Sequence, residues 1–424
     1  MKPSVEYAAL IGLDWADQKH DVCLLVPGQS HPERFTLANT PEALRDWLAE
    51  LRQRFGGRPL ALALEKTRSG LVHLLMQCDF IVLYPLNAEA VARYRQTFAT
   101  SRAKDDPTDA ELLLDLLVKH RDEFRPWQPD TAATREIAAL GEARRQAVNH
   151  RTRLSCRLIS TLKSYYRQAL ELVGEDVYSP LALEFLTKWP SLPALQRARA
   201  ETVRRFYYAH NSRRADVIEK RLELIATATP LTTDPAVVEP ALLTVQMLVE
   251  QLRVLAGAIR RYETRQAELF AAHPDAPIFA SFPGAGPTFA PRLLAAFGSD
   301  RTRYESAQSI QQYSGIAPVT ERSGQRQWVH WRWGCPKFLR QSFHEYANES
   351  IRHSLWARAF YESQRQAGKA HSAAIRSLAF KWQRILWRCW QDRTPYNEVY
   401  YLTMLQKRSS KLLKLIAEPV EKVA

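Results

Sequence analysis

Four acidic residues early in the chain have the types and spacing that chemistry on phosphate requires. Asp14 closes an apolar run over residues 8–13, and Glu65 closes a second run over residues 60–64. If those runs are neighbouring strands, both carboxylates leave the sheet at one edge. Asp106 and Asp109 stand three apart at a helix start, so they share a helical face. Four convergent carboxylates form the hard oxygen set that suits Mg²⁺. Two such ions can clamp the attacking and leaving oxygens of an in-line phosphoryl displacement. Each acid also has a plainer reading. Asp106-Pro107-Thr108-Asp109 is a good helix start by itself, with an N-cap, proline at the first position and an acid favourable to the dipole. Asp14 could form a strand-end turn, and Glu65 could pair with Lys66 or Arg68.

A second set of residues lies in the last third of the chain. Phe282-Pro283-Gly284-Ala285-Gly286-Pro287 is a tight glycine turn opening a helix. Backbone N–H groups there could hold a phosphate, as in helix-hairpin-helix turns, or the turn could only link two helices. Tyr313-Ser314-Gly315 and Glu321-Arg322-Ser323-Gly324 each place a serine before glycine in a basic stretch read as loop. Such pairs are ordinarily turns. Arg322 and Arg326 flank Ser323 and could neutralise a phosphate, and His330 is a candidate base. Gly334-Cys335-Pro336 then starts a helix carrying Lys337, Arg340 and His344.

The elements that must position these residues follow from patterning. Residues 20–26 and 34–38 are further strands, close enough in sequence for antiparallel hairpins. Thr40-Pro41-Glu42 caps a helix to about residue 54. A helix over 70–77, a strand over 80–86, a helix after Asn87 and one from Asp106 complete a mixed sheet flanked by helices. Residues 131–173 read as one long arginine-rich helix. A second runs from about 241 to 270, where Val245, Leu248, Leu252, Leu255, Ile259 and Tyr262 keep the 3–4 spacing of a coiled-coil seam. That seam could pair with the first long helix or with a second subunit. Residues 174–238 are less legible. The tail is helical and basic, and seven of the 11 tryptophans follow residue 327. Its Leu378, Trp382, Ile385 and Cys389 line one helical face, which reads as packing rather than as a base-stacking platform.

Charge divides the 424 residues. The whole chain carries +14, yet residues 1–120 hold 14 basic and 16 acidic residues, which leaves +16 for the rest. A basic body beside a slightly acidic region points to a polyanion partner. No glycine-rich NTPase loop occurs. No run approaches 18 apolar residues, so no membrane helix is expected. The N-terminal stretch reads as a first strand rather than a signal peptide. Five scattered cysteines suit a reducing cytoplasm and form neither a disulfide framework nor a zinc site.

The segments IGLDWADQKHD, ALEKTRSG and AKDDPTDAELLLDLL resemble the first domain of the DEDD-type insertion-sequence transposases, the insertion sequence one hundred and ten family of bridge-RNA-guided recombinases. FPGAGPTFAPRLLAAFG, YSGIAPVTERSG and HWRWGCPKFLRQSFHEYA resemble that family's second domain. The resemblance covers roughly 1–120 and 278–395 and implies an α/β RNase H-like (RuvC-type) domain over 1–125 and a mainly helical transposase domain over 276–424 with a helix-hairpin-helix-like turn; the heptad spacing makes the stretch between, 126–275, a helical coiled-coil region. It further implies Asp14, Glu65, Asp106 and Asp109 as Mg²⁺-binding catalytic acids, with Asp105 a rival for the third place. Ser323 is the implied nucleophile, with Ser314 its competitor. Gly284, Gly286, Arg322, Arg326, Lys337 and Arg340 are the expected nucleic-acid contacts. The expected partners are DNA, a structured guide RNA and further copies of the chain, in the cytoplasm of a bacterium or archaeon at the nucleoid. The acidic region could activate the serine across a domain or subunit boundary. The rival readings are a junction-resolving nuclease without serine chemistry and a non-catalytic nucleic-acid scaffold.

Overall fold

The computed structural model describes residues 6–65, 70–98, 106–409, 412, 413 and 416. It divides into two compact units, residues 1–129 and 130–424. The second unit holds both of the regions that the sequence divides at 275/276.

In the first unit, β1 (Ala9–Asp14), β2 (Lys19–Leu25) and β3 (Glu33–Ala38) are followed by α1 (Pro41–Phe55), β4 (Leu60–Leu64), α2 (Gly70–Leu75), β5 (Ile81–Pro85), α3 (Ala88–Phe98) and α4 (Asp106–His120). The five-stranded sheet has the order β3-β2-β1-β4-β5. The first three strands pair antiparallel, while β1, β4 and β5 run parallel. The all-apolar β4, LALAL, is buried throughout, as a strand covered on both faces must be. Ile11, Leu13, Val22 and Leu24 pack on one face with Leu44, Trp47 and Leu51 of α1. Ala61, Ala63 and Tyr84 pack on the other with Leu113 and Leu117 of α4. The helix α1 starts as its residues dictate, with the Thr40 hydroxyl accepting from Ala43 N at 3.3 Å and Pro41 in its first turn.

The second unit begins with α5 (Ala132–Tyr165) and α6 (Gln168–Val173). The single helix expected over 131–173 therefore breaks at Tyr166, which turns out of helical geometry and is fully buried. Next come α7 (Pro180–Lys188), α8 (Leu192–Gln196), α9 (Ala200–Ala209) and α10 (Ala215–Thr227). Ser179 and Ser191 cap α7 and α8, each with a proline in the first turn behind it. The long α11 (Pro235–Ala271) lies antiparallel on α5: Arg144 pairs with Glu263 at 2.7 Å, Arg265 with Glu136 at 2.8 Å, and buried Gln266 donates to the Ile137 carbonyl at 3.0 Å. Val245, Leu248 and Leu252 share a core with Leu158 and Leu162. Four of the six seam residues, Val245, Leu248, Leu252 and Ile259, are thus buried inside the chain, and Leu255 and Tyr262 are half-buried. By length and composition α11 is the one described helix apolar enough to cross a membrane, against the expectation of none. That face of it nevertheless lies in a protein core.

The remainder is α12 (Ala276–Ala280), α13 (Gly286–Phe297), α14 (Ala307–Tyr313), β6 (Val319–Ser323), β7 (Arg326–His330), α15 (Lys337–His353), α16 (Leu355–Gln366), α17 (His371–Asp392) and α18 (Glu398–Lys407). Trp356, Trp382 and Trp390 are fully buried with Phe279, Phe297, Phe343 and Tyr346. Their ring N–H groups donate to the Tyr396 hydroxyl, Ser350 Oγ and the Gly298 carbonyl at 2.8–3.0 Å. This is how buried tryptophan is tolerated. The tail face containing Leu378 and Trp382 is core, as its spacing implies. The segment around Ser323, expected as a loop, is a two-stranded antiparallel ribbon.

Candidate active site and nucleic-acid interface

The sheet register positions the first two acids. Gly12 pairs with Ala63 across the parallel β1–β4 ladder, so two residues further on Asp14 and Glu65 emerge beside each other at the carboxyl ends of adjacent strands. Along β1, Leu10, Gly12 and Asp14 face one side of the sheet. That is the side covered by α4, because a Cβ on Gly12 would collide with the Ala110 carbonyl and lie 2.6 Å from Leu114 N. The Arg121 guanidinium, just past the end of α4, lies over the Tyr7 ring near the start of β1. The helix therefore runs antiparallel to β1, and its N-terminus, with Asp106 and Asp109, opens at the edge where Asp14 and Glu65 emerge.

Asp109 is buried and forms a close ion pair with Arg95 in the last turn of α3. Arg95 Nε is buried with no hydrogen-bond partner among the described residues. The Asp106 side chain, Asp105, Lys66 and Arg68 lie outside the described residues. Among those that are described, no three His, Cys, Asp or Glu side chains stand close enough to hold one metal ion. Two residues of this edge escape a reading by motif. Arg95 is one. The other is Asp21, which stands opposite Asp14 in the β1–β2 ladder and so shares its face. Its signal is an acid on a strand face that continues into Cys23 and Leu25, with Lys19 at its start.

In the second unit, the two glycines of the 282–287 turn differ. Gly284 has φ +75, and a Cβ there would meet the His353 ring at 2.7 Å and Glu349 at 3.5 Å. Close packing against α15 explains that glycine, and a nearby carboxylate disfavours a phosphate at it. Gly286 is exposed at the start of α13 and keeps the phosphate-facing role open.

The two serines are placed very differently. Ser314 is fully buried, donates to the Gln311 carbonyl at 3.3 Å and accepts from Gln383 Nε2 at 2.7 Å. Ser323 is exposed at the tip of the ribbon, where Gly324 (φ +58) takes the first place of the two-residue turn. Ser323 stands opposite Arg326, Glu321 opposite Trp328, and Val319 opposite His330, so these six share one face. Arg322 lies on the other face with Gln327. His330 is four residues from Arg326 along β7, about 13 Å from the serine, and it pairs with Glu321 at 3.3 Å. It is therefore not the base of Ser323 in this ribbon. Lys337 is exposed at the start of α15, and Arg340, one turn on, reaches the Arg332 carbonyl at 3.4 Å.

Asp14 and Glu65 at one sheet edge of a mixed α/β unit, with arginine-rich helices following in the same chain, suit an enzyme acting on nucleic acid. Residues 11–167 match a transposase family of the DEDD type, and residues 276–362 match the transposase IS116/IS110/IS902 family. The chain is 28% identical over 394 residues to the "Mini-circle putative transposase for IS117" of Streptomyces coelicolor, covering 91% of this chain and 95% of that protein. It is 26% identical over 378 residues to the insertion element IS900 uncharacterized 42 kDa protein of Mycobacterium paratuberculosis, covering 85% and 90%. It is 25% identical over 399 residues to the insertion element IS110 uncharacterized 43.6 kDa protein of Streptomyces coelicolor, covering 92% and 96%. The chain belongs to the DEDD-type insertion-sequence transposases and is a DNA-acting enzyme of phosphoryl transfer.

Proposed function

We propose that this protein excises and inserts a mobile DNA element by Mg²⁺-dependent recombination, with Ser323 as nucleophile and a structured RNA as guide. The observation that carries the reading is the edge shared by Asp14, Glu65 and the opening turn of α4. Its donors are all carboxylate oxygens, which suits Mg²⁺ better than zinc. Asp14, Glu65, Asp106 and Asp109 are the residues that would hold the metal, as two ions. Bound there, Mg²⁺ would offset charge on the reacting phosphate and lower the pKa of an attacking oxygen. Arg95, paired with Asp109, holds that carboxylate in place. The strand order 3-2-1-4-5, with three antiparallel strands leading into two parallel crossovers, supports the RNase H-like, RuvC-type assignment.

The basic second unit supplies the DNA-binding surface, and Ser323, Arg326, Lys337 and Gly286 are its exposed contacts. Leu243, Met247 and Val254 remain exposed on α11 once its other face is buried. They support a homo-oligomer. The protein would act where the DNA is, in the cytoplasm.

The test is Asp14→Asn in the full chain. Strand cleavage is lost and DNA binding is retained within about twofold, because one charge among many phosphate contacts changes little. Cleavage that survives both this substitution and EDTA refutes the metal site. Sequencing the RNA that co-purifies with the wild type tests the guide separately.

A further inference from the structure

The β6–β7 ribbon carries more apolar and cationic surface than its own fold uses. Every residue of β7 is exposed, as are four of the five in β6. Trp328 is 44% exposed and Trp333 77%, although tryptophan is ordinarily among the most buried side chains. Between residues 319 and 340 stand Arg322, Arg326, Arg332, Lys337 and Arg340, against Glu321 as the single acid. Trp331 is already engaged, with the Arg376 guanidinium 4.0 Å and that of Arg340 5.5 Å from its ring centre. That pins the ribbon's base to α15 and α17 and leaves Trp328 and Trp333 outside it.

We propose that Trp328 is a stacking site for an unpaired base of the DNA strand that Ser323 and Arg326 face. Trp328 lies two residues along β7 from Arg326 on the same face, about 7 Å away. That is close to one nucleotide of an extended strand, so a phosphate at Arg326 brings the neighbouring base over the indole. The positive charge selects a polyanion, and the flat apolar ring selects a base whose face is free. Bases inside a duplex have both faces covered, so the site prefers DNA opened beside the attacked phosphate. Stacking of this kind tolerates any sequence. The inference rests on reading the ribbon as DNA-facing, but not on serine chemistry.

The experiment uses the full chain and three probes of one arbitrary sequence: a duplex with a short unpaired segment containing 2-aminopurine, the fully paired duplex, and the single strand as RNA. Wild type binds the opened DNA about tenfold tighter than the paired duplex and quenches the 2-aminopurine. Trp328→Ala loses the quench and that preference, while its duplex affinity and melting temperature stay as in wild type. Trp328→Phe keeps most of both. Retained quenching in Trp328→Ala, an equal loss on all probes, or tighter binding of the RNA strand overturns the proposal. Ser323→Ala separates the two readings: if it still recombines DNA the nucleophile assignment fails, whereas the quench reports only on stacking.

Discussion

Gly12 of β1 lies directly beneath the Ala110 carbonyl of α4, with room for a hydrogen and nothing larger. The contact sets how closely the helix approaches the sheet, and it sits two residues before Asp14 on β1 and one residue after Asp109 on α4. A side chain at position 12 must push the helix away from the edge. Gly12→Ala should therefore destabilise the first unit by about 1–3 kcal/mol, the cost of overpacking a closed core. It should also reduce strand cleavage far more than DNA binding. Denaturant melts and a cleavage assay on the same preparation check this. Unchanged cleavage would mean that the spacing between α4 and β1 does not govern the acids.

Much of this arrangement was legible in the residues. The apolar runs ending in Asp14 and Glu65 and the Thr40-Pro41 cap gave the strands and α1, because alternation and capping act locally. Helix break and ribbon were not. Tyr166 interrupts α5 for the sake of a buried tertiary contact that no local signal announces. VTERSGQRQWVH has a two-residue Gly-Gln turn between alternating runs, but its charges read as loop, since neither face of the ribbon is buried. The role of Arg95 was hidden for a related reason: an ion pair 14 residues apart depends on where α3 and α4 meet, not on spacing. Which partner the 245–262 seam takes was likewise decided only by α5.

His273 makes the second unit sensitive to acid. Its Nδ1 accepts from the Asp275 backbone N–H at 3.1 Å, which leaves Nε2–H to donate to Thr134 Oγ1 at 3.0 Å. Burial lowers its pKa below the ordinary 6.5; Asp275 and Asp130 oppose that effect and Arg301 adds to it. The unfolded chain then binds the proton more readily than the folded one. The stability this neutral histidine contributes is complete above pH 6.5 and is lost as pH falls toward its folded pKa. His273→Gln should cost about 1 kcal/mol at pH 7.5, the net worth of a buried hydrogen bond. The gap from wild type should narrow by pH 5.5. Paired thermal melts at the two pH values measure it, and a gap that widens in acid refutes the neutral tautomer. His20 and His344 are also lowered by burial, so the wild-type slope alone would not isolate His273.

The two serines give the sharpest contrast. A serine hydroxyl needs activation by a base or a metal to attack phosphorus. Ser314 has its hydrogen donated to Gln311 and its oxygen engaged by Gln383 in a closed core, so no phosphate reaches it. Ser323 is exposed and faces Arg326, which can balance the charge of an attacked phosphate but cannot take a proton. With His330 about 13 Å away, the base must come from outside the ribbon. Attack by Ser323 Oγ would form a serine–DNA phosphodiester and release the 3′ or 5′ hydroxyl of the broken strand, keeping the bond energy for rejoining without ATP. Ser323→Ala should therefore abolish both the covalent adduct, seen as a denaturant-resistant protein–DNA band, and recombination, at unchanged stability. Ser314→Ala should form the adduct normally and instead lose about 1–3 kcal/mol of stability, because the buried Gln383 amide loses its acceptor. Recombination by Ser323→Ala would transfer the attack to water held by the acids of the first unit.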